Sequence, residues 1–482
     1  MKYKCSFFCL AKTKREEHLK VKRNNRKKRQ CENQVRIEFT DKPITAWGGV
    51  AGLISRYLHK ILFREWVESS IPIEETSNNS KGIYEKVLAL FLTVLVGGRR
   101  FSHLSWWGHG VEVIYAGFGV KWLPAASSTL TRFWSKIDRQ ALSEIIGERC
   151  RSFASQILRW EGITKDNLNL DSSVITRYGE QEGAKKGYNP AKKGRPSHHP
   201  LIAFLGKGYV VNLWNRPGNT HSANNCCNFF AQTVLSLGSS FCINRGLCDS
   251  GFYDIDFIKH VEKKHTYIIA AKIIEVLQYK SIHDVVLKKI DDGLEAGEFY
   301  FQHKDKKWDK PRRYIVIRQT VSKRPKATGK QLRLFEEYSG YRYSLLITND
   351  ETSLPEDVWR EYRPRANDEN TIKNLKEGYG LAAFNFNNFW ATESFMMLNA
   401  MVFHNLVHYL NRNILNKNTP KEQLKTLRSK WLIIPAQLGK GAGVTILRIS
   451  VRNPKVRLRL QEFFDQISNI SHSLNCIAVE IA

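Results

Sequence analysis

After residue 165 the chain alternates short apolar runs with turn residues: NLNLDSSVI, HPLIAFLGKGYVVNLWN, CINRGLCDS and HTYIIAAKI, bounded by Gly, Asn and Pro. These runs read as strands, and NNCCNFFAQTVLSL between them reads as a helix. A strand, strand, helix, strand, strand order predicts an α/β core with helices packed on a mixed sheet. Two of the runs end on a carboxylate, Asp171 and Asp249.

The flanking sequence has a different texture. Residues 37–160 carry apolar side chains at three and four spacing, as in AWGGVAGLISRYLHKILFREWV and GIYEKVLALFLTVLVGG, and predict helices; Ser127 or Ser128 is the expected cap of the helix in SSTLTRFWSKID. GEFYFQHK, RRYIVIRQTV and YRYSLLITND predict further strands between polar connectors. Asp249 and Glu369 are 120 residues apart. A strand-helix-strand-helix return needs only about 40–60, so a β-rich insertion over 275–350 is expected. FWATESFMMLNAMVFHNLVHYL reads as a buried helix despite its polar residues, KWLIIPAQLGKGAGVTILRISV as a terminal hairpin and PKVRLRLQEFFDQISNI as a last helix. Six segments follow: a basic tail expected to be disordered (1–36), a helical DNA-binding domain (37–160), the first part of the core (161–274), the insertion (275–350), the second part of the core (351–412) and a C-terminal hairpin and helix (413–482).

Lys and Arg number 75 against 46 Asp and Glu, a formal net charge of +29. Such an excess calls for a polyanionic partner, because neutralising phosphates releases counterions. No membrane span is expected, since no apolar run reaches ~20 uninterrupted residues. The nine cysteines are scattered without a CxxC pair, the usage of a reduced cytosolic protein, and the N-terminus lacks the features of a signal peptide. A cytoplasmic, nucleoid-associated protein is expected.

The segment YRPRANDENTIKNLK places Tyr362, Arg365, Glu369 and Lys376 in the pattern Y-x2-R-x3-E-x6-K. On a helix, Arg365, Glu369 and Lys376 share a narrow stripe. Two readings are open: a solvated face with an Arg365–Glu369 pair, or a carboxylate for metal flanked by cations for DNA. Three carboxylates on separate elements, Asp171, Asp249 and Glu369, supply the hard oxygen ligands that two Mg²⁺ ions take, and two such ions can cleave a phosphodiester. GAKKGYNPAKKGRPSHHP offers Lys185, Lys186, Lys192, Lys193 and Arg195 to a phosphate backbone. His198 and His199, neighbours on a strand, point to opposite faces and do not make a zinc site. Trp308, in KDKKWDKP, is either a packed ring or an exposed one able to stack on a base.

These motifs resemble the bacterial insertion-sequence DDE transposases, the cut-and-paste group with the tyrosine-arginine-glutamate-lysine signature. The likeness rests on LDSSVITRYGEQEGA, Gly187-Tyr188-Asn189-Pro190, GRPSHHPL, RPGNTHSA, DSGFY, the signature itself and TLRSKWLIIPAQL, and covers the chain from about residue 40. It implies an RNase H-like catalytic core with a β-rich insertion before the catalytic Glu. It implies Asp171, Asp249 and Glu369 as catalytic ligands of two Mg²⁺ (or Mn²⁺) ions, with Tyr362, Arg365, Lys376 and, in the insertion, Trp308 touching DNA. The implied partners are double-stranded DNA, as terminal inverted repeats and as target, and a second copy of the chain as a homodimer on DNA. The implied activity is cleavage at the repeat ends followed by strand transfer. A catalytically silent DNA-binding relative and a plain metal-dependent nuclease share most of these features.

Overall fold

The computed structural model describes residues 16–23, 38–75, 80, 82–107, 110–124, 126–190, 192–325, 330–331, 340–415 and 422–474. The tail expected over 1–36 lies outside these residues, apart from an exposed helix over 16–23. The chain divides into two compact units, Met1–Lys42 and Pro43–Ala482; everything that follows concerns the second.

Its centre is a ten-stranded mixed sheet. The strands are β1 (Lys165–Ser172), β2 (Leu201–Leu205), β3 (Val210–Trp214), β4 (Cys242–Cys248), β5 (Tyr267–Ala270), β6 (Lys288–Asp291), β7 (Leu294–Phe301), β8 (Arg312–Thr320), β9 (Lys330–Gln331) and β10 (Tyr341–Thr348). Their order is β6-β7-β8-β10-β5-β4-β1-β2-β3, with β9 on the side of β10. β1 runs parallel to β4 and β4 to β5, while the remaining pairs are antiparallel. All five residues of β2 are buried, so this part of the sheet is covered on both faces. Helices such as Gln140–Trp160, Cys226–Leu237 and Ile255–Glu262 supply that cover.

The insertion is not a module set apart from the core. β10 pairs antiparallel with β5, Leu346 opposite Ala270 and Thr348 opposite Ile268, so the β-rich segment extends the same sheet. An unpaired β5 edge would leave a row of N–H and C=O groups open, and β10 closes it. The segment also opens on a helix, Glu275–His283, rather than a strand.

The apolar run after Phe389 is a buried helical rod: Phe389–Met397, Leu398–His404, Asn405–Leu410 and Asn411–Leu415, two of the four stretches being wide π-helical turns. Its polar residues bind the neighbours they are buried against. Glu393 accepts from the Asn215 N–H at 3.0 Å and from the Ser143 hydroxyl at 3.0 Å. Asn399 donates to the Tyr379 carbonyl, and Asn405 exchanges two hydrogen bonds with Val210 at the start of β3. Polar groups that look misplaced in the sequence thus fix the rod's depth against the sheet. Among the described residues no helix is long and apolar enough to cross a membrane.

Two segments far apart in the chain meet. Ile44–Thr45 pairs with Ala436–Gly441, which forms a hairpin with Val444–Ile449. The helix Pro454–Ser468, capped by Asn453, packs on Ser55–Lys60. The described residues of 43–160 and 422–474 therefore share one core with the sheet. The helix Ser127–Ser135 has Ala126 at its cap position with no side-chain bond, so neither serine caps it; both already lie inside the first turn.

Two buried histidines tie this core to pH. The His198 Nδ1 accepts the Arg177 Nε–H at 3.1 Å, and its other nitrogen meets the Glu182 carbonyl, so the ring must be neutral; burial and Arg177 push its pKa down to about 4. Burial likewise pushes His404 to about 4: one nitrogen meets the Gly208 carbonyl and the other, Nδ1, is buried without a partner. Both folded-state values lie below the unfolded value, so their contribution to stability is complete above pH ~6.5 and is lost as pH falls toward 4. Each histidine should cost up to about 1.4 kcal/mol per pH unit in that window. Urea midpoints measured from pH 7 to 4.5 check this; a flat profile contradicts it.

Candidate active site

β1 and β4 are parallel neighbours with Leu170 opposite Cys248, so the next residues, Asp171 still within β1 and Asp249 just past β4, stand at the same end of the sheet. Asp171 is buried and its Oδ1 accepts the Ser172 N–H at 2.7 Å. Asp249 caps the short turn Ser250–Phe252, accepting the Gly251 N–H at 2.9 Å, which explains a glycine two residues after the acid. Glu369 arrives from the other direction, exposed on the helix Ala366–Lys373. All three carboxylates line one cavity of about 470 Å³, together with Arg365, Lys373 and Lys376.

The other signature residues turn inward. The Arg365 Nη2 lies 3.1 Å from the Asp171 Oδ2, and the whole residue is buried. Arg365 thus makes a buried pair across two elements rather than the surface pair with Glu369 that one of the two readings held. The Tyr362 hydroxyl donates to the Cys248 carbonyl at 3.1 Å, one residue before Asp249. Lys376 Nζ donates to the Val174 carbonyl at 2.9 Å, three residues after Asp171. Tyr362, Arg365 and Lys376, expected at the DNA, are each engaged here with the strand ends that carry the two aspartates. Arg365, Glu369 and Lys376 line the same cavity although the helix passes into a π-helical turn, Asn374–Gly378, between the last two.

The electrostatics follow from this crowding. Burial, with Asp249 and Glu369 nearby, pushes the Asp171 carboxyl up to about 6 against the opposing pull of Arg365. Asp368, which the sequence reading passed over, is buried and pushed up to about 7, chiefly by burial; its Oδ2 accepts the Asn169 amide at 2.8 Å. The signal was available: adjacent acids on a helix point about 100° apart, so with Glu369 on the cavity Asp368 had to face the sheet. Also missed was the bonded chain beside Asp171, in which His199 Nε2 meets the Ser172 Oγ at 3.0 Å and Ser172 meets the Ser222 Oγ at 2.9 Å.

The three carboxylates are hard oxygen donors, the residue type that a divalent cation takes. Spacing is the missing element: among the described residues no group of three His, Cys, Asp or Glu side chains stands close enough to hold a metal ion. His198 and His199 bind separate partners, as the alternation of a strand requires.

Trp308 is corrected. It is 8% exposed, packed 4.1 Å from the His303 ring and 5.7 Å from Tyr253, with Arg312 over its face. Of its two readings the packed ring holds: its indole fills the corner between the insertion and the turn after Asp249. The aromatic rings beside Glu369 are instead Trp359, Tyr343 and Tyr362, which line a cavity of about 660 Å³ with Lys272, Arg324 and Arg363.

Lys185, Lys186, Lys192, Lys193 and Arg195 are all exposed and enter no ion pair among the described residues. Lys185 and Lys186 form one strand of a three-stranded sheet with Ile175–Thr176 and Pro196–His198, which begins four residues after Asp171, and Lys192, Lys193 and Arg195 lie in the loop that leads into Pro196–His198.

Residues 119–472 match the family model described as transposase DDE domain group 1. No curated protein matches the chain. Six chains of solved structures match. One is the cryo-EM structure of a piggyBac transposase synaptic complex with hairpin DNA, at 14% identity and a TM-score of 0.40, covering 94% of this chain and 87% of that one.

Proposed function

Because the chain belongs to the transposase DDE domain group 1 family, we propose that it cleaves DNA at the inverted-repeat ends of an insertion sequence and joins those ends to target DNA. The observation that carries the reading is the convergence of Asp171, Asp249 and Glu369, from two strand ends and a helix, on one cavity. The strand order around them supports an RNase H-like core. Divalent cations, Mg²⁺ or Mn²⁺ as a pair, would be held by these three carboxylates only if they drew closer than they stand here, and would supply Lewis acidity at the phosphate and an activated water.

The chain's own groups do the rest. Tyr362 and Lys376 hold the two strand ends at fixed height through the Cys248 and Val174 carbonyls, so that the aspartates face the same phosphate. Arg365 keeps the buried Asp171 compensated, and Lys373 beside the cavity supplies positive charge to a phosphodiester. Such catalysis is positioning and electrostatics, without a covalent link to the enzyme. Incubation of the protein with Mg²⁺ and an end-containing duplex tests the proposal. Cleaved and joined products support it; cleavage alone indicates a nuclease, and binding alone a silent relative. Two ends must be brought together for joining, which calls for a homodimer on DNA, and such an enzyme works beside the nucleoid in the cytoplasm.

DNA affinity should depend steeply on salt, given the net charge of +29. With ~6–10 phosphate contacts, affinity should fall ~10³–10⁵-fold between about 50 and 200 mM salt. A titration series with a nearly flat slope would remove DNA as the polyanionic partner.

A further inference from the structure

We infer that Tyr178 and Tyr188 form a rigid stacking platform for unpaired DNA bases, at the end of the small basic sheet next to the active site. The inference rests on the DNA-processing reading above and adds the form of DNA that this surface takes.

Exposure is the first observation. Tyr178 is 72% exposed and Tyr188 76%, although rings of this size usually bury most of their surface. Topology brings them together. Thr176 and Lys185 both pair with Ser197, one on each side, and both outer strands run antiparallel to Pro196–His198. The outer strands thus point the same way. Tyr178 lies two residues past Thr176, Tyr188 two residues past Lys186, and Arg195 just before Pro196. All three leave the sheet at one end, with the outer strands about 10 Å apart. The Arg195 guanidinium lies 5.9 Å over the Tyr178 ring.

The rings are exposed because their neighbours are pinned. Arg177, beside Tyr178, is 1% exposed; its guanidinium bonds the His198 ring and the Phe384 carbonyl, and its N–H donates to the Pro196 carbonyl. Tyr188 sits between two anchors. Asn189 is buried, donating to the Thr176 hydroxyl at 2.9 Å and accepting the Lys192 N–H at 3.0 Å. Gly187 is pressed so close to the loop at Gly218 that a Cβ would stand 2.0 Å from the Gly218 carbonyl oxygen. A residue fixed on both sides by inward anchors presents its own side chain outward, in a geometry already set before a ligand arrives.

Charge and position name the ligand. Five exposed cations lie on the same strands and loops as the rings, Arg195 over Tyr178 itself, against Glu180 and Glu182, and Glu182 already accepts the Phe389 N–H. Tyr178 is seven residues beyond Asp171 along a nearly continuous ladder, at most about 24 Å away. A strand whose phosphate lies among the carboxylates reaches this surface a few nucleotides on. Tyrosine faces stack on bases whose faces are open, and in an intact duplex neighbouring pairs cover them.

The test is fluorescence anisotropy of the full chain with a labelled single strand of about 15 nucleotides and with the matching duplex, at one salt concentration. The Tyr178→Ala, Tyr188→Ala double variant should weaken single-strand binding at least about tenfold and duplex binding by less than about twofold. The corresponding double Phe variant should keep wild-type affinity, because it retains the rings. Equal loss on both DNAs, loss in the Phe variant, or unchanged single-strand affinity would each overturn the platform. Wild-type cleavage in Mg²⁺ is scored separately: its absence, with selective single-strand loss intact, would remove the transposition reading and leave the platform standing.

Discussion

Asp249→Asn, Asp171→Asn and Glu369→Gln are each expected to lower strand cleavage at least about 10³-fold, the scale on which removal of one preorganised group at a reacting centre acts. Each change keeps the side chain's size and removes a charge that a divalent cation requires. Binding to end DNA should change little, because the net charge of +29 resides mostly outside this cavity. The three variants should differ in stability. Glu369 is exposed, so its replacement should leave the urea midpoint in place, whereas Asp171 is buried against Arg365 and its replacement should shift it. Near-wild-type cleavage by any one variant in Mg²⁺ would remove that residue from the proposed ligand set.

Arg365→Met should destabilise the metal-free protein by about 3–5 kcal/mol, the cost of leaving one partner of a buried ion pair alone. Side-chain exposures of 10% for Arg365 and 11% for Asp171 place the pair in that class rather than among surface bridges. Arg365→Lys should recover only part of the loss, since an ammonium cannot present the guanidinium's fork. Equilibrium urea unfolding of both variants measures this. A loss below about 1 kcal/mol for the Met variant would mean that Arg365 and Asp171 do not rely on each other.

The core strands were legible because each apolar run after residue 165 ends at a Gly, Asn or Pro, and the paired positions of Asp171 and Asp249 followed from the resemblance and from their places at strand ends. Three things were not legible. The direction of Arg365 depends on which element lies opposite its helix, and spacing along one helix carries no such information. Which of the two readings of Trp308 holds, packed or stacked on a base, depends on the turn after Asp249, some fifty residues earlier, whose Tyr253 ring packs against it. The union of insertion and core depends on β10 finding the edge of β5, and neither strand's pattern names its partner. Conversely, Glu393, Asn399 and Asn405 looked like flaws in an apolar helix and are its attachment points.

The pairing of Ile44 with Gln437 has a consequence for how the molecule is made. About 390 residues separate the two partners, so the first strand waits for nearly the whole chain. At ~5–20 residues per second of synthesis the wait is about 20–80 s. During that time the apolar helix Ile83–Leu95, buried in the finished protein, has only part of its cover. Local helices and the parallel β1–β4–β5 unit can form early, but the closing sheet cannot, and contacts of such long separation are slow to make. A nascent chain of this design is therefore exposed to self-association on the ribosome, and its yield should respond to chaperones and to lower growth temperature more than that of a protein whose ends fold locally.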